Sequence, residues 1–231
     1  MDKINSLSIV LPAYNEEKNI GYVLNQVLDF ALKEISDFEI IVVNDGSTDN
    51  TLNQIDTFKL NSDVDIKVKT HPKNLGYGAA LRSGFSLAEK KYVFFTDSDR
   101  QFDIKEITKL FTYINEYPIV AGFREKRADN FSRGVCGFLW TKLTNIFLRN
   151  KAKDINCAFK LFRKEVLDSI SLVTTGAMIN AEIFYKVSKK GFKIMEVPVS
   201  HYPRIEGAQT GLKPVVFLKA FVELFKIVFS K

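Results

Sequence analysis

The chain has 231 residues, 46% of them hydrophobic and 26% charged, which excludes a disordered chain and leaves ample material for a core. Its formal charge of +6 hides an asymmetry: residues 1–103 hold 11 Lys+Arg against 16 Asp+Glu, and residues 104–231 hold 22 against 11, so the halves carry −5 and +11. Two cysteines, Cys136 and Cys157, argue against a disulfide framework and for a reducing compartment, and two histidines, His71 and His201, with no CxxC argue against structural zinc.

Apolar runs and helical periods alternate from the start, the signature of βαβ units around a mostly parallel sheet. Leu7–Leu11 predicts a buried strand ended by Pro12, and Glu16–Glu34 a helix with Ile20, Val23, Leu24, Val27, Leu28 and Ala31 on one face. Phe38–Val43 predicts a second strand, stopped by Asn44-Asp45-Gly46-Ser47, with Thr48 or Asp49 capping the next helix. Val64–Val68 predicts a third strand, Tyr77–Glu89 a helix, and Tyr92–Thr96 a fourth strand buried on both faces. In the second half Ile119–Phe123, Cys157–Phe162 and Phe192–Val197 predict strands, and Phe131–Arg149 and Ala181–Lys190 predict helices. Leu212–Ser230 predicts a closing amphipathic helix with Lys219, Glu223 and Lys226 as one polar stripe, too charged to cross a bilayer. The N-terminus lacks a basic region followed by a long apolar one, so no signal peptide is expected. With no repeat and no low-complexity linker, one continuous domain is the expectation.

In an open α/β sheet, ligands sit at the carboxyl ends of the strands, and the polar clusters of this sequence fall there. The strongest is Asp97-x-Asp99 after YVFFT: two carboxylates within a few ångströms repel unless a cation sits between them. Mg²⁺ or Mn²⁺ completed by diphosphate oxygens is the usual solution, with Gln101 as a further oxygen ligand or a supporting contact. Gly76-Tyr77-Gly78 opens a helix whose amides are expected to face an anion, yet it is neither a full GxGxxG nor a Walker A loop. Nicotinamide oxidoreductase and P-loop readings lose support accordingly.

Six ordered blocks, IVLPAYNEEKNI, IIVVNDGSTDNT, NLGYGAALRSGF, FFTDSDRQFD, DINCAFKLFRKEVL and VPVSHYPRIEGAQTG, resemble those of family 2 glycosyltransferases, most of all the dolichyl-phosphate mannose synthase and polyisoprenyl-phosphate glycosyltransferase branch. The resemblance implies an α/β GT-A (Rossmann-like) single domain with a mixed, mostly parallel sheet. It implies a catalytic domain over 1–211, with a nucleotide- and metal-binding half (1–103) and an acceptor half (104–211), then a C-terminal amphipathic helix over 212–231. Pro12, Tyr14, Glu16 and Asp45 match the family's nucleoside-binding positions, Arg82 a basic residue near the nucleotide-sugar, and Asp97, Asp99 and Gln101 the metal positions. Asp154 matches the acidic residue near the reacting centre, Arg204 the phosphate-pairing arginine, and Arg124 is a further phosphate-binding candidate.

The implied activity is metal-dependent, inverting transfer of a hexose from a UDP- or GDP-sugar to a polyprenyl phosphate. The implied place is cytoplasmic, peripheral at the membrane face, where the Phe131–Arg149 and C-terminal helices either lie on anionic lipid or pack on the sheet. The same donor chemistry on a soluble glycan or protein hydroxyl is one alternative, and a basic nucleic-acid-binding protein is another. The acidic rim and the lack of a basic stripe interleaved with aromatics argue against nucleic acid.

Overall fold

The computed structural model describes residues 4–125, 141–147, 152–206, 220, 222–224 and 226–227. In chain order the elements are β1 (Ser6–Ala13), α1 (Ile20–Glu34), β2 (Asp37–Asn44), α2 (Thr51–Leu60), β3 (Ile66–Thr70), α3 (Tyr77–Leu87) and β4 (Tyr92–Thr96). A 3-10 turn (Ile104–Glu106) runs into α4 (Ile107–Phe111), followed by β5 (Ile119–Arg124), β6 (Phe159–Arg163), α5 (Lys164–Asp168), α6 (Ile179–Lys189) and β7 (Ile194–Val199). The strands form one seven-stranded sheet in the order β3-β2-β1-β4-β6-β5-β7.

β1, β2, β3 and β4 pair in parallel, and β5 pairs in parallel with β7; only β6 runs against its neighbours β4 and β5. The sheet is therefore mixed and mostly parallel, as expected. Strands β1, β2 and β4 read as unbroken apolar runs because both faces are covered: Ile9, Val10, Leu11, Ile40 to Val43 and Val93 to Phe95 are all sealed from solvent. One face carries Ile9, Leu11, Ile40, Val42 and Phe94 beneath α1, and the other carries Val10, Ile41, Val43, Val93 and Phe95 beneath α3.

Boundaries shift for local reasons. The helix expected from Glu16 starts at Ile20, because Asn15 is left-handed (φ 55°) and the Glu16 carbonyl accepts the first turn's amides from Asn19 and Ile20. The N-cap of α2 is Asn50 rather than Thr48 or Asp49, although Asp49, one residue earlier, still accepts the Thr51 amide on its Oδ1 at 3.0 Å. The expected strand at Cys157 begins at Phe159, since a turn closed by the Cys157 amide on the Asp154 carbonyl precedes it. Pro198 lies in β7 without penalty because β7 is an edge strand. The short helices α4 and α5 were not anticipated: five residues are too few for a helical period to register.

Of the two helices weighed for the membrane, residues 131–140 and 148–149 of the first and most of the second lie outside the described residues. Residues 141–147 are helical and expose Ile146 and Phe147. Residues 220, 222–224 and 226–227 are helical, with Ala220, Leu224 and Ile227 packed against Met178, Ala181 and Phe184. The expected polar stripe is corrected at Glu223, which is buried and accepts the Thr175 and Gly176 amides at 2.9 and 2.7 Å. Among the described residues no helix is long and apolar enough to cross a membrane.

Helix α3 lies close on β1 because Gly84 has no side chain: a Cβ there would stand 2.3 Å from Val10 Cγ1. Val10 is sealed and β-branched, so it has little room to yield. Gly84→Ala should therefore lower the urea midpoint by an amount equivalent to about 1–3 kcal/mol. Adding Val10→Ala should recover part of that loss in a double-mutant cycle, whereas simple additivity would place the strain elsewhere.

Candidate functional site

The loops leaving β1, β2 and β4 share one edge of the sheet because those strands are parallel neighbours. The first two are stitched together: the Glu16 amide donates to Thr51 Oγ1 at 2.8 Å, and the Thr48 amide donates to Asn15 Oδ1 at 2.8 Å. The third is tied in by Ser98, whose hydroxyl donates to the Pro12 carbonyl at 2.9 Å. Tyr14 stands partly exposed on this edge.

Three carboxylates meet here. Burial is the main cause that raises Glu16, Asp97 and Asp99 above the ordinary carboxylate range; Asp97, with the Asp99 charge beside it, is pushed up to about 7. Arg204 answers two of them, its Nη2 donating to Glu16 Oε1 and its Nη1 to Asp99 Oδ2 at 3.3 Å, while its Nε donates to the Glu206 carbonyl. Asp97 Oδ1 and the Tyr77 hydroxyl are both shut off from solvent and lie beside one another, the hydroxyl favouring the charged carboxylate. The Tyr77 hydroxyl is raised well above 10, first by burial and then by the Asp97 charge.

The turn Asp99-Arg100-Gln101 is held from both sides. The Gln101 amide donates to Asp99 Oδ1 at 3.1 Å, and Gln101 Nε2 donates to the Tyr202 carbonyl at 3.0 Å. Asp97 and Asp99 fit a hard divalent cation: the two carboxyls stand close together, burial raises both, and the Asp99 charge raises Asp97 further. Among the described residues no three His, Cys, Asp or Glu side chains form a metal cage, so a cation here would draw its remaining ligands from substrate and water.

Arg124 and Asp154 form a second pair: Nε donates to Oδ2 at 2.6 Å, Nη2 to Oδ1 at 2.8 Å, and the Arg124 amide to Oδ2 at 3.3 Å. Such a two-pronged pair fixes the carboxylate plane. The Arg124 charge reaches Asp99, so this pair borders the carboxylate cluster.

Two expected site residues are placed differently. Asp45 is buried, with Oδ1 accepting from His71 Nδ1 at 2.7 Å and the Leu75 amide at 2.9 Å, and Oδ2 accepting the Gly76 amide at 2.9 Å; His71 Nε2 lies 2.9 Å from Ser83 Oγ. Its carboxylate therefore organises the 71–76 loop. Arg82 sits on α3 with Nη1 donating to the Val173 carbonyl at 3.3 Å, and lines an open groove of about 710 Å³ with His71, Ser83 and Leu172. None of the three clustered carboxylates lines that groove. The expected anion site at Gly76-Tyr77-Gly78 is corrected: the Ala79 amide donates to the Thr175 carbonyl, and Cβ atoms at Gly76 and Gly78 would lie 2.4 Å from Thr175 O and 2.8 Å from Gly176 O. Those glycines admit the 174–176 backbone rather than a phosphate.

Lys160 was missed. It is fully buried on β6, donating to the Ile155 carbonyl at 3.2 Å, the Cys157 carbonyl and Asn180 Oδ1 at 2.9 Å, and burial lowers it to about 8. A lone lysine inside the apolar run CAFKLF was the available signal.

The family model described as glycosyl transferase family 2 matches residues 8–171. The chain is 30% identical over 233 residues to dolichyl-phosphate beta-glucosyltransferase of Saccharomyces cerevisiae, covering 89% of this chain and 69% of the relative. It is 26% identical over 170 residues to undecaprenyl-phosphate 4-deoxy-4-formamido-L-arabinose transferase of Proteus mirabilis, covering 73% of this chain but only 52% of that relative. Its fold is GT-A: glucosyl-3-phosphoglycerate synthase of Mycobacterium tuberculosis, crystallised with Mn²⁺, uridine diphosphate and phosphoglyceric acid, superposes with a TM-score of 0.71 at 18% identity, over 97% of this chain and 77% of that one.

The raised Asp97 carboxyl has a consequence for stability. The folded protein keeps this proton between the ordinary value of 3.8 and about 7 while the unfolded chain releases it, so the metal-free fold loses stability as pH rises through that window. Asp97→Asn removes the charge. Its gain in Tm over wild type, without metal, should therefore be larger at pH 8 than at pH 4.5, as read by thermal melts; an equal difference at both would acquit the buried charge.

Proposed function

We propose that this chain, which belongs to glycosyl transferase family 2, moves a hexose from a nucleoside-diphosphate sugar to a polyprenyl phosphate with inversion at the anomeric carbon. The observation that carries the reading is Arg204, one guanidinium held between Glu16 and Asp99 beside Asp97. Acids and base in that arrangement suit a ligand that brings both phosphate and a cation.

The roles follow from the chemistry. An acceptor phosphate oxygen attacks the anomeric carbon from one side, and the bond to the nucleoside diphosphate breaks on the other, leaving its electron pair and negative charge on the diphosphate. Arg204, exchanging its carboxylate partners for diphosphate oxygens, stabilises the charge that grows there. Asp97, Asp99 and Gln101 would hold Mg²⁺ or Mn²⁺, which when bound supplies further charge neutralisation at the leaving group. Pro12, Tyr14 and Glu16 border the nucleoside end, with Asp45 shaping the loop beneath it and Arg82 at its flank.

A phosphate acceptor is already anionic and needs no general base. That agrees with Asp154, whose carboxylate is engaged at both oxygens by Arg124 and so orients rather than abstracts. Arg124 supplies positive charge for the acceptor phosphate on the side of the +11 half. Exposed Ile146, Phe147, Tyr202 and Ile205 favour a peripheral site at an anionic membrane face, where such a lipid lies. The polyprenyl-phosphate sugar transferases among the relatives support the same acceptor class. The two halves and the C-terminal helix are proposed to act as one catalytic unit, because β6 enters the sheet between β4 and β5 and Glu223 is docked on the 175–176 backbone.

Incubation with a panel of UDP- and GDP-hexoses, Mn²⁺ and undecaprenyl or dolichyl phosphate should yield a lipid-linked sugar. Arg204→Ala should lower kcat by roughly 100- to 1,000-fold, and Asp99→Asn should abolish turnover. Product on a soluble hydroxyl acceptor but never on lipid phosphate would overturn the acceptor, and full activity of Asp99→Asn would overturn the site.

A further inference from the structure

Arg100 is one of only two residues other than glycine with positive φ among those described, at 65°. It stands between Asp99 and Gln101, the two residues whose side chains the cation reading needs on the same side. An L-residue adopts this conformation only when its surroundings compel it. The main-chain partners are in place around it: Asp99 takes the Gln101 amide, and the Tyr202 amide donates to the Gln101 carbonyl. Arg100 itself has one evident restraint. Its guanidinium lies on the ring of Tyr22, with Cζ 3.9 Å from the ring centroid, while its buried Nε makes no hydrogen bond. Tyr22 belongs to α1 and is half exposed, so core packing does not account for an aromatic there.

We infer that Tyr22 is a positioning residue for the divalent-cation turn, acting through Arg100: the stack holds Arg100 left-handed and thereby presents Asp99 and Gln101 together. The inference rests on the cation reading given above. It implies that the ring, not the hydroxyl, is what matters, and that a residue comfortable at positive φ makes the ring dispensable.

Electron paramagnetic resonance of free Mn²⁺, titrated with the full chain alone and with UDP or GDP, tests it without reference to turnover. Tyr22→Ala should weaken Mn²⁺ affinity by roughly 2- to 5-fold, the worth of a half-exposed stack, and Tyr22→Phe should bind like wild type. Combining Tyr22→Ala with Arg100→Gly should restore affinity, which mere loosening of α1 would not allow. Tyr22→Ala with unchanged Mn²⁺ affinity, or a double variant as weak as the single one, overturns the inference and leaves the cation site standing. A wild-type chain that binds no Mn²⁺ under any of these conditions overturns the cation reading and this inference with it.

Discussion

Repulsion among Glu16, Asp97 and Asp99 is the constraint on which the rest of the edge depends. The parallel strands β1 and β4 deliver the loops that carry them to one place, and burial there lifts each carboxyl above its ordinary range. A fold does not gather uncompensated acid without an answering cation. Arg204 supplies one, reaching from the loop beyond β7 to two of the three. The third, Asp97, is raised by burial and by the neighbouring Asp99 charge, an imbalance that the proposed cation and its anionic ligand would answer.

The same edge shows how a protein can spend its backbone donors on itself. Asp45 collects a histidine and two amides, and the opening of α3 is closed by the Thr175 carbonyl. Glu223 and Glu182 hold the 173–176 segment in turn through its amides. A chain of contacts thus runs from the C-terminal helix through residues 173–176 to the glycines at the start of α3 and on to Tyr77. Shape complementarity between backbones, rather than anion binding, explains Gly76 and Gly78.

The antiparallel strand β6 joins the two differently charged halves. It lies between β4, which carries the aspartates, and β5, which ends at Arg124. Its Lys160 sits under both ends of the site, gripping the carbonyls of the turn after Asp154 and Asn180 of α6. Burial of an ammonium among neutral acceptors is expensive, and its place beneath the junction ties the Asp154 turn to the sheet that carries Asp97.

Periodicity and composition alone determined the alternation of strands and helices, the double-sided burial of β4, and the gathering of the polar loops at the strand ends, because parallel strands must end on one edge. They also determined the charge division, whose acidic half supplies Glu16, Asp97 and Asp99 and whose basic half supplies Arg124 and Arg204. Only the tertiary structure decided which groups are paired. That Asp154 faces Arg124, that Arg204 bridges Glu16 and Asp99 across 188 and 105 positions of chain, and that Asp45 and Glu223 turn inward depend on contacts remote in sequence. The left-handed Arg100 and the buried Lys160 belong to the same class. Local propensity disfavours both, and only the surrounding packing, an aromatic ring in one case and three carbonyl oxygens in the other, makes them stable.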